Sequence, residues 1–481
     1  MNILLLITDQ QRADTIEKST VCRTPNLDLL AKSGVRFTRA YTPNPICSPA
    51  RASLMTGLYP SRHGMVDVTH NVPSYRADLQ PGFPMWSQVL KQAGYHTGYF
   101  GKWHIERSDN PHAFGFDISL SCQSEEYIKY RESLGLPRKP HLLHQHTLVK
   151  QGYHSVVHYG ICDEPAEASE PYFLYSKGIE FIRSQQDRSA PWAAVISVKE
   201  PHDPYIAAKS FFDSYRQEDI LLPSSRRDPL TDKPRILRRL QSVWEPLSDD
   251  QIKEAIACYY AMCTLVDEQV GRIIQALKET DQLENTLIVY TSDHGDMLGD
   301  HGLFLKGVTP YEEVYRIPLI LAGAGVKSPG RVSSAVVSLV DLAPTIIETA
   351  ELQEMDGQGR SLVPLLREEI GHEEVSAYWQ EGYAEFFGQR LGYSQRLVWF
   401  DRYKYVFNGF DFDELYDLCA DPDEMNNLAG LEEYEPILKA MVSRMWSRVH
   451  RLGDHSLGET HYGMFRFLPI GPNGPGETGM C

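Results

Sequence analysis

The sequence contains no apolar run long enough to cross a membrane and no recognisable secretion signal. A membrane-spanning helix needs about 20 consecutive apolar residues, and the apolar segment near 338–342 is already interrupted by Asp341. The N-terminal apolar stretch, Asn2–Thr8, has no basic residues before it and no small-residue cleavage site after it. We therefore expect a protein that is neither exported nor inserted into a membrane.

A disulfide framework and an excess of basic residues are also absent. The eight cysteines form no Cys-x-x-Cys pair, which is typical of a reducing compartment, so we expect a cytoplasmic protein. They are Cys22, Cys47, Cys122, Cys162, Cys258, Cys263, Cys419 and Cys481. With 47 Lys and Arg against 64 Asp and Glu, the net charge of −17 argues against binding to nucleic acids or anionic membranes. An anionic ligand would then require a local cluster of cationic side chains.

Strand-like and helix-like segments alternate along most of the chain. Apolar runs predict buried strands at Asn2–Thr8, Tyr95–Phe100, Trp192–Val198 and Thr286–Thr291. Helical spacing of apolar residues predicts helices at 26–33, 85–93 and, most strongly, Asp249–Lys278, with Ser248 or Asp249 as its cap. This alternation predicts an α/β fold with a large, mostly parallel central sheet flanked by helices.

The pattern changes after Leu366. Short apolar segments at 397–400, 404–407 and 414–418 predict antiparallel strands, and a helix is expected at Pro436–Leu452. At 481 residues the chain exceeds one average domain. We predict a main domain over 1–366, a smaller α+β subdomain with an antiparallel sheet over 367–452, and an extended Gly- and Pro-rich tail over 453–481.

One cysteine stands at the predicted start of a helix. Cys47 follows a Pro-rich approach, and Pro49 suits a first helical turn. The free N–H groups and positive dipole end of a helix favour anions. Arg51, four residues on, projects from the same face as Cys47. A nucleophile and a cation therefore point to one place, although a buried structural cysteine is the commoner role for such a residue.

Polar residues follow the ends of the predicted strands. Asp9 and Gln10 follow the first, and Asp293 and His294 follow the strand at 286–291. Open α/β sheets build their sites at this edge. Oxygen-rich ligands favour Ca²⁺ or Mg²⁺, and one imidazole also admits Mn²⁺ or Zn²⁺. Each pair alone fits an ordinary polar turn, but two pairs on one sheet favour a metal site.

The cationic candidates are spread along the chain. They are Arg51, Lys102, His104, His202 and Lys306. Any one lysine is usually a solvated surface charge, but together with a dication these groups would form the cationic pocket that an acidic protein needs for an anion.

Two segments, 107–175 and 206–247, have weak hydrophobic periodicity and many turn-forming residues. We therefore expect them to be insertions that cover the edge of the sheet where the predicted strands end. The first is rich in histidine: His141, His144, His146, His154 and His158. Their irregular spacing favours a solvated loop, which could touch substrate, over a transition-metal cluster.

The stretch Cys47-Ser48-Pro49-Ala50-Arg51 matches the C-x-P-x-R signature of the type I, formylglycine-dependent sulfatases of the alkaline phosphatase superfamily, and the sequence resembles that family along nearly its whole length. The match continues through 52–64 and recurs at 24–28, 94–104, 201–202, 292–295 and 415–418. The resemblance implies an alkaline-phosphatase-like fold, a catalytic domain over 1–366 and sulfuric ester hydrolase activity of the arylsulfatase type.

The resemblance also implies a role for each candidate residue. Cys47 would be oxidised by a separate maturase to formylglycine (3-oxoalanine), whose hydrate supplies the nucleophilic oxygen. Asp9, Asp293, His294 and residue 47 would bind a Ca²⁺-like ion. Gln10, which stands where many sulfatases have Asp, would also ligate the ion through its amide oxygen. Arg51 and Lys102 would hold the formylglycine and the sulfate, and Lys306 would bridge the sulfate. His104 would take a proton from the second hydroxyl, and His202 would protonate the leaving oxygen.

The expected substrate is a sulfate monoester of a carbohydrate or a small organic sulfate. A phosphonate monoester or phosphodiester hydrolase is the alternative enzyme, because relatives on this fold share the nucleophile and the metal. A non-catalytic sulfate-binding protein that never receives its formylglycine is the third hypothesis. Some relatives form dimers or tetramers through their tails, so a homodimer or homotetramer is compatible with the Gly- and Pro-rich tail.

Overall fold

The computed structural model describes residues 1–17, 20–70, 79–149, 154–369, 379–388, 393–409, 411–457 and 468–472. The strands are β1 (Asn2–Thr8), β2 (Gly34–Tyr41), β3 (His96–Gly101), β4 (Ile118–Ser121), β5 (Leu142–Leu148), β6 (Val156–Cys162), β7 (Trp192–Ser197), β8 (Tyr205–Ala208), β9 (Thr286–Ser292), β10 (Leu319–Gly323), β11 (Arg331–Ser338), β12 (Glu381–Gly388), β13 (Tyr393–Phe400), β14 (Tyr403–Asn408) and β15 (Glu414–Asp417).

The α-helices are α1 (Pro25–Lys32), α2 (Cys47–Thr56), α3 (Pro60–His63), α4 (Trp86–Gln92), α5 (Glu125–Ser133), α6 (Glu170–Ser184), α7 (Lys209–Phe212), α8 (Arg235–Trp244), α9 (Asp249–Glu279), α10 (Glu312–Tyr315), α11 (Leu342–Thr349), α12 (Val363–Leu366) and α13 (Glu435–Leu452). Each predicted strand and helix corresponds to an observed one, and the ends agree within one or two residues except at the start of β13. The capping box of α9 uses Ser248, one of the two residues expected there.

The central sheet has eight strands in the order β11-β2-β10-β9-β1-β7-β3-β4. Strands β9, β1, β7, β3 and β4 run parallel, and β10 is antiparallel to both of its neighbours. Strand β1 lies between β7 and β9, with Leu5 paired to Val195 on one side and to Val289 on the other. The prediction of a large, mostly parallel sheet is confirmed.

Helices cover both faces of this sheet because side chains of a buried strand point alternately to opposite faces. Leu4 and Leu6 of β1 pack with residues of α1, α6 and α9. Ile3, Leu5 and Ile7 pack with residues of α2, α4 and α11. Helix α2, which begins at Cys47, is therefore held against one face of the sheet and is buried along its whole length.

A second sheet, with the order β12-β13-β14-β15, is antiparallel throughout. Helix α13 packs on it through Leu438, Met441, Val442 and Met445. The smaller antiparallel α+β unit is thus confirmed, and its first strand, β12, was missed by the sequence pattern. The boundary at 366/367 and the extended tail stay predictions, because 370–378, 458–467 and 473–481 lie outside the described residues.

The two segments expected to be insertions are more ordered than their sequences indicated. Strand β4 pairs with β3 in the central sheet, and α6 begins at Glu170, inside the first segment. Strands β5, β6 and β8 form a third sheet. His144 and His146 lie on β5, and His158 on β6 is only 3% exposed, among the rings of Tyr205, Trp244 and Phe304. The expected histidine loop is therefore wrong for 142–148 and 156–162, because both segments are paired strands. Strand β6 is buried from His158 onward, whereas β5 stays largely exposed, with the His144 side chain 52% exposed.

The seven cysteines in the described part of the chain are unpaired. In the same ranges, no helix combines the length and the apolar character that crossing a bilayer would require.

The carboxyl ends of β9, β1, β7 and β3 meet at one edge of the central sheet because these neighbours are parallel. Gly101 ends β3 at this edge with φ of 116°. A Cβ atom at Gly101 would lie 1.8 Å from the carbonyl oxygen of Ser197 on β7. The glycine therefore permits both the backbone turn and the close approach to Ser197. Lys102, the next residue, is thereby placed at the carboxyl-end edge of the sheet.

We predict that Gly101→Ala lowers the free energy of unfolding by more than about 3 kcal/mol, because a clash is added to the positive-φ strain. Gly94→Ala is the matched control: Gly94 has φ of 89°, but a Cβ atom there would meet no residue beyond its chain neighbours within 4 Å. It should cost about 1 kcal/mol, the strain alone. Urea unfolding followed by circular dichroism measures both values, and equal losses would contradict the role of the Ser197 contact.

Candidate active site

Helix α2 places Cys47 at the edge of the central sheet where the carboxyl ends of β9, β1, β7 and β3 meet. Its first residue is Cys47, and Ile46 before it is held by Asn44, whose Oδ1 accepts a hydrogen bond from the Ile46 N–H at 2.9 Å. The helix ends at Gly57, which has φ of 71°. Because the whole helix is buried, its N-terminus is fixed relative to the ends of β1 and β9.

Four side chains meet at this N-terminus. One ligand atom from each of Asp9, Cys47, Asp293 and His294 lies within 4.8 Å of all the others, and all four residues are buried. The Cys47 Sγ atom lies 3.2 Å from His294 Nε2 and 3.7 Å from Asp9 Oδ1. The His294 Nδ1–H donates to the Gly295 carbonyl at 2.9 Å, so Nε2 faces the cluster.

Arg51 connects the two carboxylates of this cluster. Its Nε donates to Asp293 at 2.7 Å and its NH2 group to Asp9 at 3.2 Å. The remaining NH1 group donates to the Lys102 carbonyl at 2.9 Å and to the Ser197 hydroxyl at 2.7 Å. At 2% exposed, Arg51 has almost no contact with solvent and is fully engaged by protein groups.

Lys102 and His104 follow β3. The Lys102 ammonium forms an ion pair with Asp9. His104 has φ of 57°, and its ring stacks on that of His70 with centroids 5.5 Å apart. Its Nδ1 is buried and has no hydrogen-bond partner among the described residues.

His202 and Lys306 form the opposite wall of the site. Lys306 Nζ donates to His202 Nε2 at 2.7 Å. The His202 Nδ1–H donates to the Asp203 carbonyl at 2.6 Å, so Nε2 is the nitrogen turned to the site. His202 Nε2 lies 3.9 Å from Asp9 Oδ1.

The side chain of Gln10 lies beside the cluster and contacts other groups. Its Oε1 accepts a hydrogen bond from the Lys306 ammonium, and its Nε2 donates to Asp296 and to Asp203. The backbone N–H of Gln10 donates to Asp293 Oδ1 at 3.1 Å. The amide oxygen is thus held by a lysine, and the role of Gln10 as a metal ligand stays a prediction.

The cationic wall changes the acidity of the buried groups. Burial alone would raise the pKa of the Cys47 thiol, but Lys102, Lys306, His294 and a hydrogen bond with His104 hold that pKa well below its usual value. Burial would also raise the pKa of Asp9, which Lys102, His202 and Arg51 nevertheless keep low. The site therefore stabilises negative charge at residue 47.

The structure brings together all the residues that the sequence proposed for the site and adds several that it did not. Asp203 orients His202, Ser197 binds Arg51, and His70 stacks on His104. Asp296, held by the Tyr205 hydroxyl at 2.6 Å, fixes the Gln10 amide. Asp203 directly follows His202, and Asp296 lies two residues after His294. This proximity in sequence was the only signal that could have indicated their part in the site.

A cavity of about 720 Å³ adjoins the site at His202 and Asp203. Charged side chains, including Arg131, Glu170, Lys199 and Glu200, line it together with apolar ones, including Ile128, Ile206, Met262 and Leu265. The Arg131 guanidinium is fixed by Glu164, with two contacts of 2.8 Å. One carboxylate oxygen of Glu200 is buried without a hydrogen-bond partner among the described residues.

The donor set at residue 47 fits a divalent metal ion. Two carboxylates and an imidazole nitrogen converge with the residue 47 side chain in a buried space. Carboxylates this close repel one another unless a positive charge lies near them, and Arg51 contacts only the Oδ2 atom of each. The cluster is therefore suited to a cation.

Comparisons with known proteins agree with this geometry. The family model described as Sulfatase matches residues 1–352, and the model for the C-terminal region of N-sulphoglucosamine sulphohydrolase matches residues 299–451. The chain is 32% identical to the uncharacterized sulfatase YidJ of Escherichia coli, over 94% of this chain and 88% of that protein. It is 31% identical to the choline-sulfatase of Rhizobium meliloti, over 89% of this chain and 82% of that protein.

Among solved structures, the phosphonate monoester hydrolase of Silicibacter pomeroyi superposes with a TM-score of 0.79 at 25% identity, covering 95% of this chain and 96% of that one. The family model covers well over half of this chain, and the curated relatives align over most of their own length. With the C-x-P-x-R segment at the centre of the buried site, the chain belongs to the sulfatase family.

Proposed function

We propose that this sulfatase hydrolyses a sulfate monoester of a polar alcohol, a sulfated carbohydrate or a small organic sulfate, through a formylglycine at position 47. One observation carries the proposal: Cys47 begins a buried helix inside a cluster of metal-ligand side chains and faces Lys102, His202 and Lys306. Sulfate ester cleavage develops negative charge on the sulfate oxygens and on the leaving oxygen, and this arrangement provides cations for both.

Asp9, Asp293, His294 and residue 47 would hold the metal ion, which we propose to be Ca²⁺, with Mg²⁺ or Mn²⁺ as alternatives. Two hard carboxylate donors support a hard cation. When bound, the ion would supply positive charge that stabilises the sulfate oxygens. Arg51 positions both carboxylates, since it contacts Asp9 and Asp293 at the same time.

Formylglycine at position 47 would be produced by a maturase, and its hydrate would supply a nucleophilic oxygen and a second hydroxyl. A plain thiol lacks that second hydroxyl. His104 would accept a proton there, because it stands two residues after Lys102 and contributes to the lowered pKa of the Cys47 thiol. The ring is held by stacking on His70. Lys102, in its ion pair with Asp9, lies beside the same position.

His202 is placed to protonate the leaving oxygen. Its Nδ1–H donates to the Asp203 carbonyl, so Nε2, which meets Lys306 in this structure, is the nitrogen that would carry the proton to the leaving oxygen. Lys306, 2.7 Å from Nε2, would contact the bridging oxygen and the sulfate. A protonated donor at this position lowers the charge that develops on the leaving alcohol.

The cavity beside His202 supports a polar leaving group. It adjoins the site at His202, and Lys199, Glu200 and Arg131 form part of its lining. Burial, then the nearby Glu170, raises the pKa of Glu200 to about 7. Such a carboxyl group can donate hydrogen bonds to, or accept them from, hydroxyl groups of a substrate. Two relatives of this chain are a choline-sulfatase and an N-acetylglucosamine-6-O-sulfatase, which fits this class of alcohol.

A phosphonate monoester hydrolase is the second candidate, because the structural similarity to such an enzyme is high. Turnover of an aryl sulfate and of an aryl phosphonate monoester by one preparation separates the two functions. We expect a higher kcat/KM for the sulfate, and the reverse order would make the phosphonate reaction the main activity.

Mass spectrometry of the peptide containing residue 47 tests whether the maturation occurs. Conversion exchanges the SH group and one hydrogen for a carbonyl oxygen, so the peptide loses mass. A peptide that remains a thiol in the native host would instead support a non-catalytic sulfate-binding protein.

We predict that Cys47→Ala lowers kcat on an aryl sulfate by more than about a thousandfold, because the nucleophilic group is lost. Melting temperature should change little, since the substituted side chain is small and the helix keeps its packing. Cys419→Ala, an exposed cysteine outside the site, is the matched control and should retain activity. Near-normal turnover by Cys47→Ala would contradict the mechanism.

We predict that His202→Gln lowers kcat/KM about 10²- to 10⁴-fold for an alkyl or sugar sulfate, which needs protonation of its leaving oxygen. The loss should be less than about tenfold for 4-nitrophenyl sulfate, whose leaving group is stable as an anion. His144→Gln, on exposed β5, removes a histidine outside the site and should affect neither substrate. Equal losses for both substrates in His202→Gln would exclude its role as the leaving-group acid.

A further inference from the structure

The loop between β9 and α10 carries Lys306 and contains three residues other than glycine with left-handed backbone conformation. Leu298, His301 and Leu305 have φ of 42°, 51° and 69°. A leucine side chain disfavours this conformation, so it persists only where surrounding contacts impose it. The backbone immediately before Lys306 is therefore held in place by other groups.

One carboxylate oxygen binds the backbone at both leucines. The Oδ1 atom of Asp296 accepts hydrogen bonds from the N–H groups of Leu298, at 2.7 Å, and of Leu305, at 3.0 Å. The carbonyl of Leu305 accepts a hydrogen bond from the Met297 N–H at 2.9 Å. Both peptide groups that flank Leu305 are thereby fixed, and the second of them leads directly into Lys306.

The other carboxylate oxygen of Asp296 reaches the segment that carries His202. Its Oδ2 atom accepts hydrogen bonds from the Tyr205 hydroxyl, at 2.6 Å, and from the Gln10 amide nitrogen. Tyr205 is fully buried and begins β8, three residues after His202. One side chain thus holds the backbone next to Lys306 with one oxygen and the start of β8 with the other.

Asp296 also determines which way the Gln10 amide points. A carboxylate only accepts hydrogen bonds, so the amide turns its NH2 group to Asp296 and, at 3.2 Å, to Asp203. The amide oxygen is then left for the Lys306 ammonium. With two backbone and two side-chain donors, the buried Asp296 carboxylate has its roughly four acceptor positions filled.

We propose that Asp296 is a positioning residue that sets Lys306 against His202. By binding the backbone at Leu305 and the hydroxyl of Tyr205, its carboxylate keeps the Lys306 Nζ atom 2.7 Å from His202 Nε2. This inference rests on the proposed function, in which Lys306 and His202 act at the bridging oxygen. Because protein donors fill its acceptor positions, Asp296 acts through Lys306 and not on the substrate.

Asp296→Asn keeps the shape of the side chain but replaces one acceptor oxygen with an NH2 group. That group must face either the two backbone N–H groups or the Gln10 amide, and either arrangement opposes two donors and displaces Lys306. We expect kcat/KM to fall about 30-fold for phenyl sulfate and about threefold or less for 4-nitrophenyl sulfate, whose leaving oxygen needs less stabilisation. Equal losses for the two substrates would overturn the proposal.

A double-mutant cycle tests whether Asp296 acts through Lys306. In the Lys306→Gln background, Asp296→Asn should lower kcat/KM for phenyl sulfate by less than about twofold, because the group that Asp296 positions is absent. A further loss as large as in the unmodified protein would show a purely structural role and would exclude the proposed one.

Asp267→Asn is the matched control. Asp267 on α9 is also buried, and it accepts hydrogen bonds from the backbone N–H groups of Asn26, at 3.1 Å, and Leu27, at 2.8 Å, and from the Asn26 amide. These contacts are made to α1, so kcat/KM should stay within about twofold for both substrates. A loss that matches Asp296→Asn in size and substrate dependence would contradict a specific role for Asp296.

Tyr205→Phe provides the test if Asp296→Asn does not fold. It removes a single hydroxyl donor from Asp296 and keeps the buried ring. We expect kcat/KM for phenyl sulfate to fall about threefold, with less than about a twofold change for 4-nitrophenyl sulfate. In that case, unchanged kcat/KM for phenyl sulfate would overturn the proposal.

Crystal structures of the unmodified protein and of Asp296→Asn provide a readout that needs no turnover. In the variant, we expect the distance from Lys306 Nζ to His202 Nε2 to exceed about 3.5 Å, the limit of a hydrogen bond. An unchanged pair would overturn the positioning role whichever reaction the site catalyses. If the unmodified protein hydrolyses neither aryl sulfate, the proposed function fails, and the structural comparison still decides the role of Asp296.

Discussion

The buried ion pairs of Arg51 with Asp9 and Asp293 are the interaction on which the site depends. The two carboxylates stand on different strands, and the guanidinium reaches both from a helix that is itself buried. Without Arg51, two acidic groups would lie close together out of contact with water, at a cost of several kcal/mol. A single side chain thereby fixes β1, β9 and α2 relative to one another and sets the distance from Cys47 to the acids.

The same arrangement explains how a protein of negative net charge can bind an anion. The net charge of −17 repels anions at long range. An anion bound in the buried site is instead stabilised by the local field of the nearby cations. Lys102, Lys306 and His294 act on residue 47, and the low dielectric of the interior strengthens their effect.

Much of the fold, and the set of residues that converge at Cys47, were accessible from the sequence, whereas the roles of these residues stay predictions. The strands β1, β7 and β9 are apolar runs that need burial on both faces, and α9 carries an uninterrupted helical repeat, so local pattern and tertiary environment agree. Sequence reasoning failed for β4, β5 and β6, which lack a clear alternating pattern and gain their structure from neighbouring strands. His158 shows why: its burial comes from rings contributed by positions 205, 244 and 304.

The sequence by itself determined the α/β class, the helix start at Cys47 and the acidic residues at the strand ends, because these follow from the periodicity and chemistry of contiguous residues. Tertiary structure alone decided where the Gln10 amide points and which nitrogen of His202 faces Lys306. Each of these depends on contacts between residues far apart in the chain. Only the packed structure brings such residues within hydrogen-bonding distance.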